Sequence, residues 1–347
     1  MSSTAIREPG TSLSTDELLN VSDLSVEFST RRESVQAVNG VSFSLQKGEV
    51  LCIIGESGSG KSVTMRSLMR LLPESRTHIG GNITLDGQDV LAMRNRQLTA
   101  MRGSKVSMIF QEPMTALDPV YSIGDQIAEG VMRHLGKTRK EATARALELL
   151  ELVRVPSPER RLRAYPHELS GGLRQRAMIA VALSCAPKLL LADEPTTALD
   201  ATVQIQVLIL LKKLQEEMGM GIIFVTHDLG VAAQIADKVA VMYAGRLVEY
   251  GLARDILLNP RHPYTIGMLN STVRGQDRSV DIEAIPGNPP DLRNLPPGCA
   301  FAPRCGFALE QCSAAQPEPA ARPDAGYARC IRLDETAKVA ERHPIKA

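Results

Sequence analysis

Gly55-Glu-Ser-Gly-Ser-Gly-Lys61-Ser62 fits the pattern of a phosphate-binding loop in full. The apolar run Leu51-Cys-Ile-Ile54 before it reads as a buried strand, and a helical pattern follows, which is the context the loop needs. Glycines let successive backbone N–H groups converge on phosphates, and the following helix adds the positive end of its dipole. The spacing therefore predicts a nucleotide cradle from Gly55, Glu56, Ser57, Gly58, Ser59 and Gly60. Lys61 is expected to reach the β- and γ-phosphates as a point charge, and the Ser62 hydroxyl to ligate Mg²⁺.

Outward from that loop, apolar β-type runs alternate with longer helical patterns from Leu18 to about Tyr250, the signature of an α/β domain. Val106-Ser-Met-Ile-Phe110, Leu189-Leu-Leu-Ala192 and Ile222-Ile-Phe-Val225 read as further buried strands, and ligands sit at strand ends in open α/β sheets. Residues of about 122–185 differ, with helical spacing throughout Glu141-Ala-Thr-Ala-Arg-Ala-Leu-Glu-Leu-Leu-Glu-Leu-Val153, and are expected to form an inserted helical subdomain. The resulting division is a disordered tail over 1–17, a nucleotide-binding domain over 18–270, a separate Pro-rich appendage over 271–333 and a tail over 334–347.

Bulk properties narrow the classes. The 40 Lys and Arg side chains nearly cancel the 39 Asp and Glu. No global field then draws the chain to nucleic acid or an anionic membrane, so any partner is recognised locally. No run approaches the roughly 18 apolar residues of a membrane span; the densest, such as Val207-Leu208-Ile209-Leu210-Leu211, are short. The N-terminal stretch lacks the basic region and apolar core of a secretory signal, so a cytosolic location is expected.

A phosphate loop alone suits a kinase, a GTPase or a motor, and the other strand ends decide between them. Leu189-Leu-Leu-Ala-Asp193-Glu194 delivers two adjacent carboxylates whose side chains alternate in direction. Asp193 is expected on the magnesium shell and Glu194 as the general base facing the attacking water. Gln111 and His227 follow two more strands; Gln111 can ligate the metal, and His227 can hydrogen-bond the γ-phosphate or position the water.

Leu169-Ser-Gly-Gly-Leu-Arg-Gln-Arg176 precedes that strand, and Ser170, Gly171 and Gly172 open a helix whose N–H groups form a second anion site. With this sequence the chain resembles the ATP-binding subunits of ABC transporters. The resemblance implies a P-loop NTPase fold of ABC type, with ATP and Mg²⁺ as cofactors. It also implies a head-to-tail dimer in which the signature of one subunit (Leu169, Ser170, Gly171, Gly172, Gln175) covers the γ-phosphate bound by the other. It adds Val63 to the ATP site, places Ala198, Leu199 and Asp200 of Thr197-Ala-Leu-Asp200 at the dimer seam, and stacks Phe28 on adenine. Leu173 departs from the Gln that many members carry; the serine and glycine contacts are expected to survive it.

Gln111-Glu-Pro-Met-Thr-Ala-Leu-Asp-Pro119, Arg261-His-Pro-Tyr-Thr265 and Ile285-Pro-Gly, with the cysteine-containing tail, resemble the dipeptide and oligopeptide permease branch over nearly the whole chain. That branch implies a second, homologous ATPase subunit, two membrane permeases, an extracytoplasmic binding protein and a peripheral place on the cytoplasmic face of the inner membrane. Nickel or another small solute as cargo, or a soluble ABC ATPase, are the competing readings. Cys299, Cys305, Cys312 and Cys330 are separated by five, six and seventeen residues, which is no zinc-ribbon spacing. Four thiolates in such a segment suit a [4Fe–4S] cluster, which peptide-importer ATPases that this chain resembles can carry; zinc or uncoordinated thiols are the alternatives.

Overall fold

The computed structural model describes residues 16–30, 33–196, 200–271, 284–322 and 326–342. In chain order its strands are β1 (Glu17–Ser29), β2 (Ser34–Gln46), β3 (Val50–Ile54), β4 (Thr77–Leu85), β5 (Gln88–Asp89), β6 (Val106–Ile109), β7 (Leu189–Asp193), β8 (Gly221–Thr226), β9 (Lys238–Tyr243), β10 (Arg246–Leu252), β11 (Ala320–Ala321) and β12 (Tyr327–Ala328). Among the described residues these form two sheets, ordered β2-β1-β4-β5 and β11-β12-β10-β9-β3-β8-β7-β6. From β9 through β6 every pairing is parallel. Parallel neighbours need crossover connections that cover both faces, which is why these strands read as continuous apolar runs.

Strand alternation sorts those runs into two cores. Leu51, Ile53, Leu189, Leu191, Ile223 and Val225 join the β1, β2 and β4 side chains in one cluster. Val50, Cys52, Ile54, Leu190, Ala192, Ile222 and Phe224 face the other way, into a cluster with the helices of residues 123–182 and Ala201–Met218. The β1–β2 and β1–β4 pairings are antiparallel and carry register shifts.

Between β6 and β7 the chain is helical: Ile123–Leu135, Arg139–Leu152, Pro158–Arg161 and Gly171–Ala182. The Ser122 hydroxyl accepts from the Asp125 N–H, capping the first of these. Thr138 and Glu141 cap the second reciprocally, at 3.3 and 2.8 Å. Its buried residues, Ala142, Ala146, Leu149 and Leu150, fall on a single helical stripe.

The C-terminal region departs from a separate, coreless appendage. Its strands β11 and β12 extend the large sheet through β10, and Phe301 is buried in the main core against Tyr243 and Tyr264. Residues 334–342 are likewise no loose tail. Leu333–Arg342 is a helix, fixed by the fully buried Thr336, whose hydroxyl donates to the Arg261 carbonyl at 2.7 Å. At the other end, β1 begins at Glu17 and the Asp16 carbonyl accepts from the Lys47 N–H, so the last residues assigned to the N-terminal tail belong to the smaller sheet. Residues 1–15 and 343–347 lie outside the described residues.

A buried ion pair ties this region down. Glu249 on β10 is fully buried, accepts the Arg261 and His262 N–H groups at 2.7 and 3.0 Å, and pairs with the buried Arg322. Burial raises the Glu249 carboxyl above the usual carboxylate range, and the Arg322 charge opposes that rise. Arg322→Met, which leaves the carboxylate without its cation, is expected to lower unfolding free energy by roughly 3–5 kcal/mol in denaturant titration. Adding Glu249→Leu is expected to recover much of that loss.

Candidate functional site

The phosphate loop leaves β3 through Gly55, where a Cβ would sit 2.1 Å from the Met242 carbonyl oxygen, so no other residue fits. Gly60 closes it at φ +106° as the N-cap of the helix Lys61–Leu68. Inside this curve the Lys61 ammonium donates to the Gly55 and Glu56 carbonyls at 2.7 and 2.8 Å. Burial pulls its pKa down, while Glu194, Asp193 and Glu56 push it back up. The Ser59 hydroxyl, only 5% exposed, has no protein partner. A glycine-shaped curve with a buried ammonium and an orphaned hydroxyl fits phosphate oxygens.

From across β8, β7 brings Asp193 to the loop. The Ser62 hydroxyl donates to Asp193 Oδ1 at 2.9 Å. Burial raises the Asp193 carboxyl, and the Ser62 bond with the Arg66 and Lys61 charges lowers it. A hydroxyl and a carboxylate meeting at the first turn of the loop helix are the oxygen donors that Mg²⁺ takes alongside phosphate.

Glu194, one residue on, faces a different group. Gln111 Nε2 donates to its Oε2 at 3.3 Å, and His227 Nδ1 lies 3.4 Å from the same oxygen. Glu194 holds φ +45°, a left-handed conformation that costs a non-glycine residue of order 1–3 kcal/mol. Its N–H donates to the Val225 carbonyl at 3.0 Å, which fixes the turn. Three strand ends thus gather a carboxylate, an amide and an imidazole beside the phosphate loop. Gln111 meets Glu194 in this structure, rather than the Ser62–Asp193 pair with which metal ligation would group it.

Ser170 is the N-cap of the helix Gly171–Ala182 and makes no side-chain capping bond. Ser170 and Gly171 are exposed, and a Cβ on Gly171 would meet nothing within 4 Å. This helix end therefore presents its N–H groups outward.

The ABC transporter family model matches residues 38–197, and that of the oligopeptide/dipeptide transporter C-terminal region matches residues 248–312. The oligopeptide transport ATP-binding protein OppD of Salmonella typhimurium is 51% identical over 306 residues, 88% of this chain and 91% of that protein. The chain belongs to the ATP-binding subunits of dipeptide and oligopeptide ABC transporters. The dipeptide transport ATP-binding protein DppD of Bacillus subtilis is 46% identical over 324 residues, 93% of this chain and 97% of that one. Among solved structures, the dimeric ATP-binding cassette MJ0796, in a post-hydrolysis state with ADP and Pi, superimposes with a TM-score of 0.62 at 28% identity, covering 68% of this chain and 99% of that chain.

Several further residues expected of an ABC ATP-binding subunit are held by the chain itself or lie against its core. Gln175 is 2% exposed, because the signature helix is buried from Gln175 through Ala180 once past its first turn, so it does not share the open face of Ser170. Asp200 caps the helix Ala201–Met218, its carboxylate accepting from the Val203 N–H at 3.0 Å. Ala198 and Leu199 lie outside the described residues. Phe28 and Val63 are half-buried against one apolar cluster, Phe28 opposite Val35 and Thr77 in the smaller sheet. Glu56 does not offer its N–H to the cradle: that group donates to the Tyr264 hydroxyl at 2.8 Å, and its carboxylate is gripped by Arg304 at 2.8 and 3.0 Å.

Arg304 and Tyr264 are what the sequence reading missed. Tyr264 sits in the Arg261–Thr265 stretch that marks the branch, and Arg304 directly precedes a marked cysteine. Cys299, Cys305, Cys312 and Cys330 line one small pocket, which His262 and Phe301 also line. Backbone N–H groups of Phe307, Leu309 and Arg332 donate to the sulfurs of Cys305, Cys312 and Cys330 at 3.4, 3.4 and 3.3 Å. Burial raises the Cys299 and Cys305 thiols and pushes Cys330 up to about 11. Among the described residues no three His, Cys, Asp or Glu side chains converge closely enough to hold a single metal ion.

Lys61→Met removes the charged donor of the loop. A hydrogen bond to a charged group contributes about 1.5–3 kcal/mol, so Mg-ATP affinity is expected to fall roughly ten- to hundredfold in equilibrium titration.

Proposed function

We propose that this chain binds and hydrolyses ATP to energise peptide import through a membrane permease. The observation that carries the reading is the end of β7, which sets Asp193 against the phosphate-loop hydroxyl and Glu194 against Gln111 and His227. Bound ATP brings the scissile γ-phosphate and Mg²⁺ supplies charge neutralisation. Ser62 and Asp193 would hold the metal, while Lys61 and the cradle N–H groups would hold the phosphates. Glu194 takes the proton of the attacking water, and His227 and Gln111 orient that carboxylate. Ser170 and Gly171, exposed at a helix N-terminus, close the site of a second, homologous ATPase subunit. That closure moves the helical subdomains and switches the permeases.

The permease contact falls on the stretch after Gln111. There Met114, Val120 and Tyr121 are 49, 71 and 56% exposed, and the short helix Pro113–Ala116 buries no residue. No helix among the described residues is long and apolar enough to cross a membrane, which suits a peripheral subunit held by two permeases on the cytoplasmic face, with a binding protein outside. The peptide assignment is supported by the C-terminal family model and by the OppD and DppD relatives.

The cysteine cavity is best read as a [4Fe–4S] site. Four cysteines line one pocket, and the sulfurs of three of them receive backbone N–H bonds, the contacts that tune cluster ligands. A zinc ion would need all four within about 2.3 Å of one point. Anaerobically purified full-length chain is expected to carry about four iron and four sulfide per polypeptide, lost in Cys330→Ser; a zinc-loaded or metal-free product would sink this reading.

Glu194→Gln keeps the site's shape and removes the base. ATP turnover is expected to drop by roughly 10²–10⁴ while ATP still binds and dimers accumulate in sedimentation. A strain lacking the gene should fail to grow on peptides as its source of a required amino acid; unimpaired growth with a lost nickel-dependent activity would reassign the cargo.

A further inference from the structure

Glu56, the second residue of the phosphate loop, is held at three points. Its carbonyl accepts from the Lys61 ammonium at 2.8 Å, its N–H donates to the Tyr264 hydroxyl at 2.8 Å, and both carboxylate oxygens take Arg304 nitrogens. Arg304 stands 248 residues further along the chain. It is itself fixed: Nε donates to the Pro286 carbonyl at 2.8 Å, Nη1 reaches the Tyr243 hydroxyl at 3.3 Å, and the guanidinium lies 5.9 Å from the centroids of the Tyr243 and Phe301 rings. With 9% of its surface exposed, it has little freedom to leave Glu56.

We propose that Arg304 is a positioning residue of the nucleotide site, which draws the Glu56 carboxylate away from the phosphates and cancels its charge. The proposal rests on reading Gly55–Ser62 as the phosphate loop. A carboxylate on that loop opposes a polyanionic ligand and competes with it for Lys61. At an effective dielectric constant of about 20, two unit charges roughly 10 Å apart interact strongly enough to change affinity by about tenfold. A two-pronged guanidinium bond removes that penalty and fixes the direction of the side chain, which a lysine cannot do. The C-terminal region thereby acts on ATP binding through one side chain without touching ATP.

The test is a double-mutant cycle on the full-length chain, reading the Kd of a fluorescent ATP analogue with Mg²⁺ from the ligand's own emission, since the protein has no tryptophan. Arg304→Met is expected to weaken binding roughly tenfold, and more at low salt than at high. In the Glu56→Gln background the same substitution is expected to change affinity little, because its target charge is gone. Unaltered binding in Arg304→Met overturns the proposal, and so does an equal loss in both backgrounds, which would make Arg304 a packing residue only. If Arg304→Met alone fails to fold, comparing Glu56→Gln with the double variant, which buries no lone charge, still decides: a tenfold gap overturns the proposal and near-equality supports it. Lys61→Met in the same assay separates the two readings, since tight binding there would remove the phosphate loop itself.

Discussion

The nucleotide site of this chain depends on three parallel strands ending level. Ile54 lies opposite Thr226 across the β3–β8 pairing, and Asp193 lies opposite Val225 across β8–β7. The phosphate loop, the carboxylate pair and His227 therefore emerge on one edge, close enough for Ser62 to bond Asp193 directly. A one-residue slip of β7 would reverse the faces of Asp193 and Glu194, separating Asp193 from Ser62 and Glu194 from Gln111 and His227 together. Two fully apolar faces forbid that slip, since each strand contributes alternate residues to two different cores.

The cost of the arrangement is electrostatic. Asp193, Glu194 and Glu56 surround a single buried ammonium, and burial opposes the charge on both Lys61 and Asp193. Each of these charges is held within the chain, Lys61 by the Gly55 and Glu56 carbonyls, Asp193 by Ser62, Glu194 by Gln111 and His227, and Glu56 by Arg304. Nucleotide binding and local ordering should be hard to separate in this protein, because the same groups serve both.

Local motifs made much of this legible before any coordinates. Gly55–Ser62 and the runs at Leu51, Val106, Leu189 and Ile222 carry their conformation in short-range pattern, and strand ends then place Gln111, Asp193, Glu194 and His227 without further information. What stayed hidden was set by distant pairing. The smaller sheet joins β1 to β4 across most of the first hundred residues, and Arg304 reaches Glu56 from another part of the chain. Neither bond has a local signature. Gln175 shows the converse limit: a place in a signature stretch does not tell which way a helix turns its side chains, and this helix is sunk in the core past its first turn. Proline content likewise suggested a loose C-terminal appendage, whereas Phe301 and Arg322, single residues in irregular segments, anchor it to the body.

The hairpin of β11 and β12 bears on how the chain is made. Until residues 320–328 leave the ribosome, the outer rim of β10 is a row of unpaired peptide groups on a wide, apolar sheet, the kind of rim that recruits other polypeptides into aggregates. In the folded chain β12 pairs with Glu249 and Tyr250 of that rim, and β11 and β12, of two residues each, are too short to template a neighbour. A chain stopped near residue 312, where the matched C-terminal family segment ends, would retain its nucleotide motifs while leaving Glu249 and Tyr250 without their β12 partners.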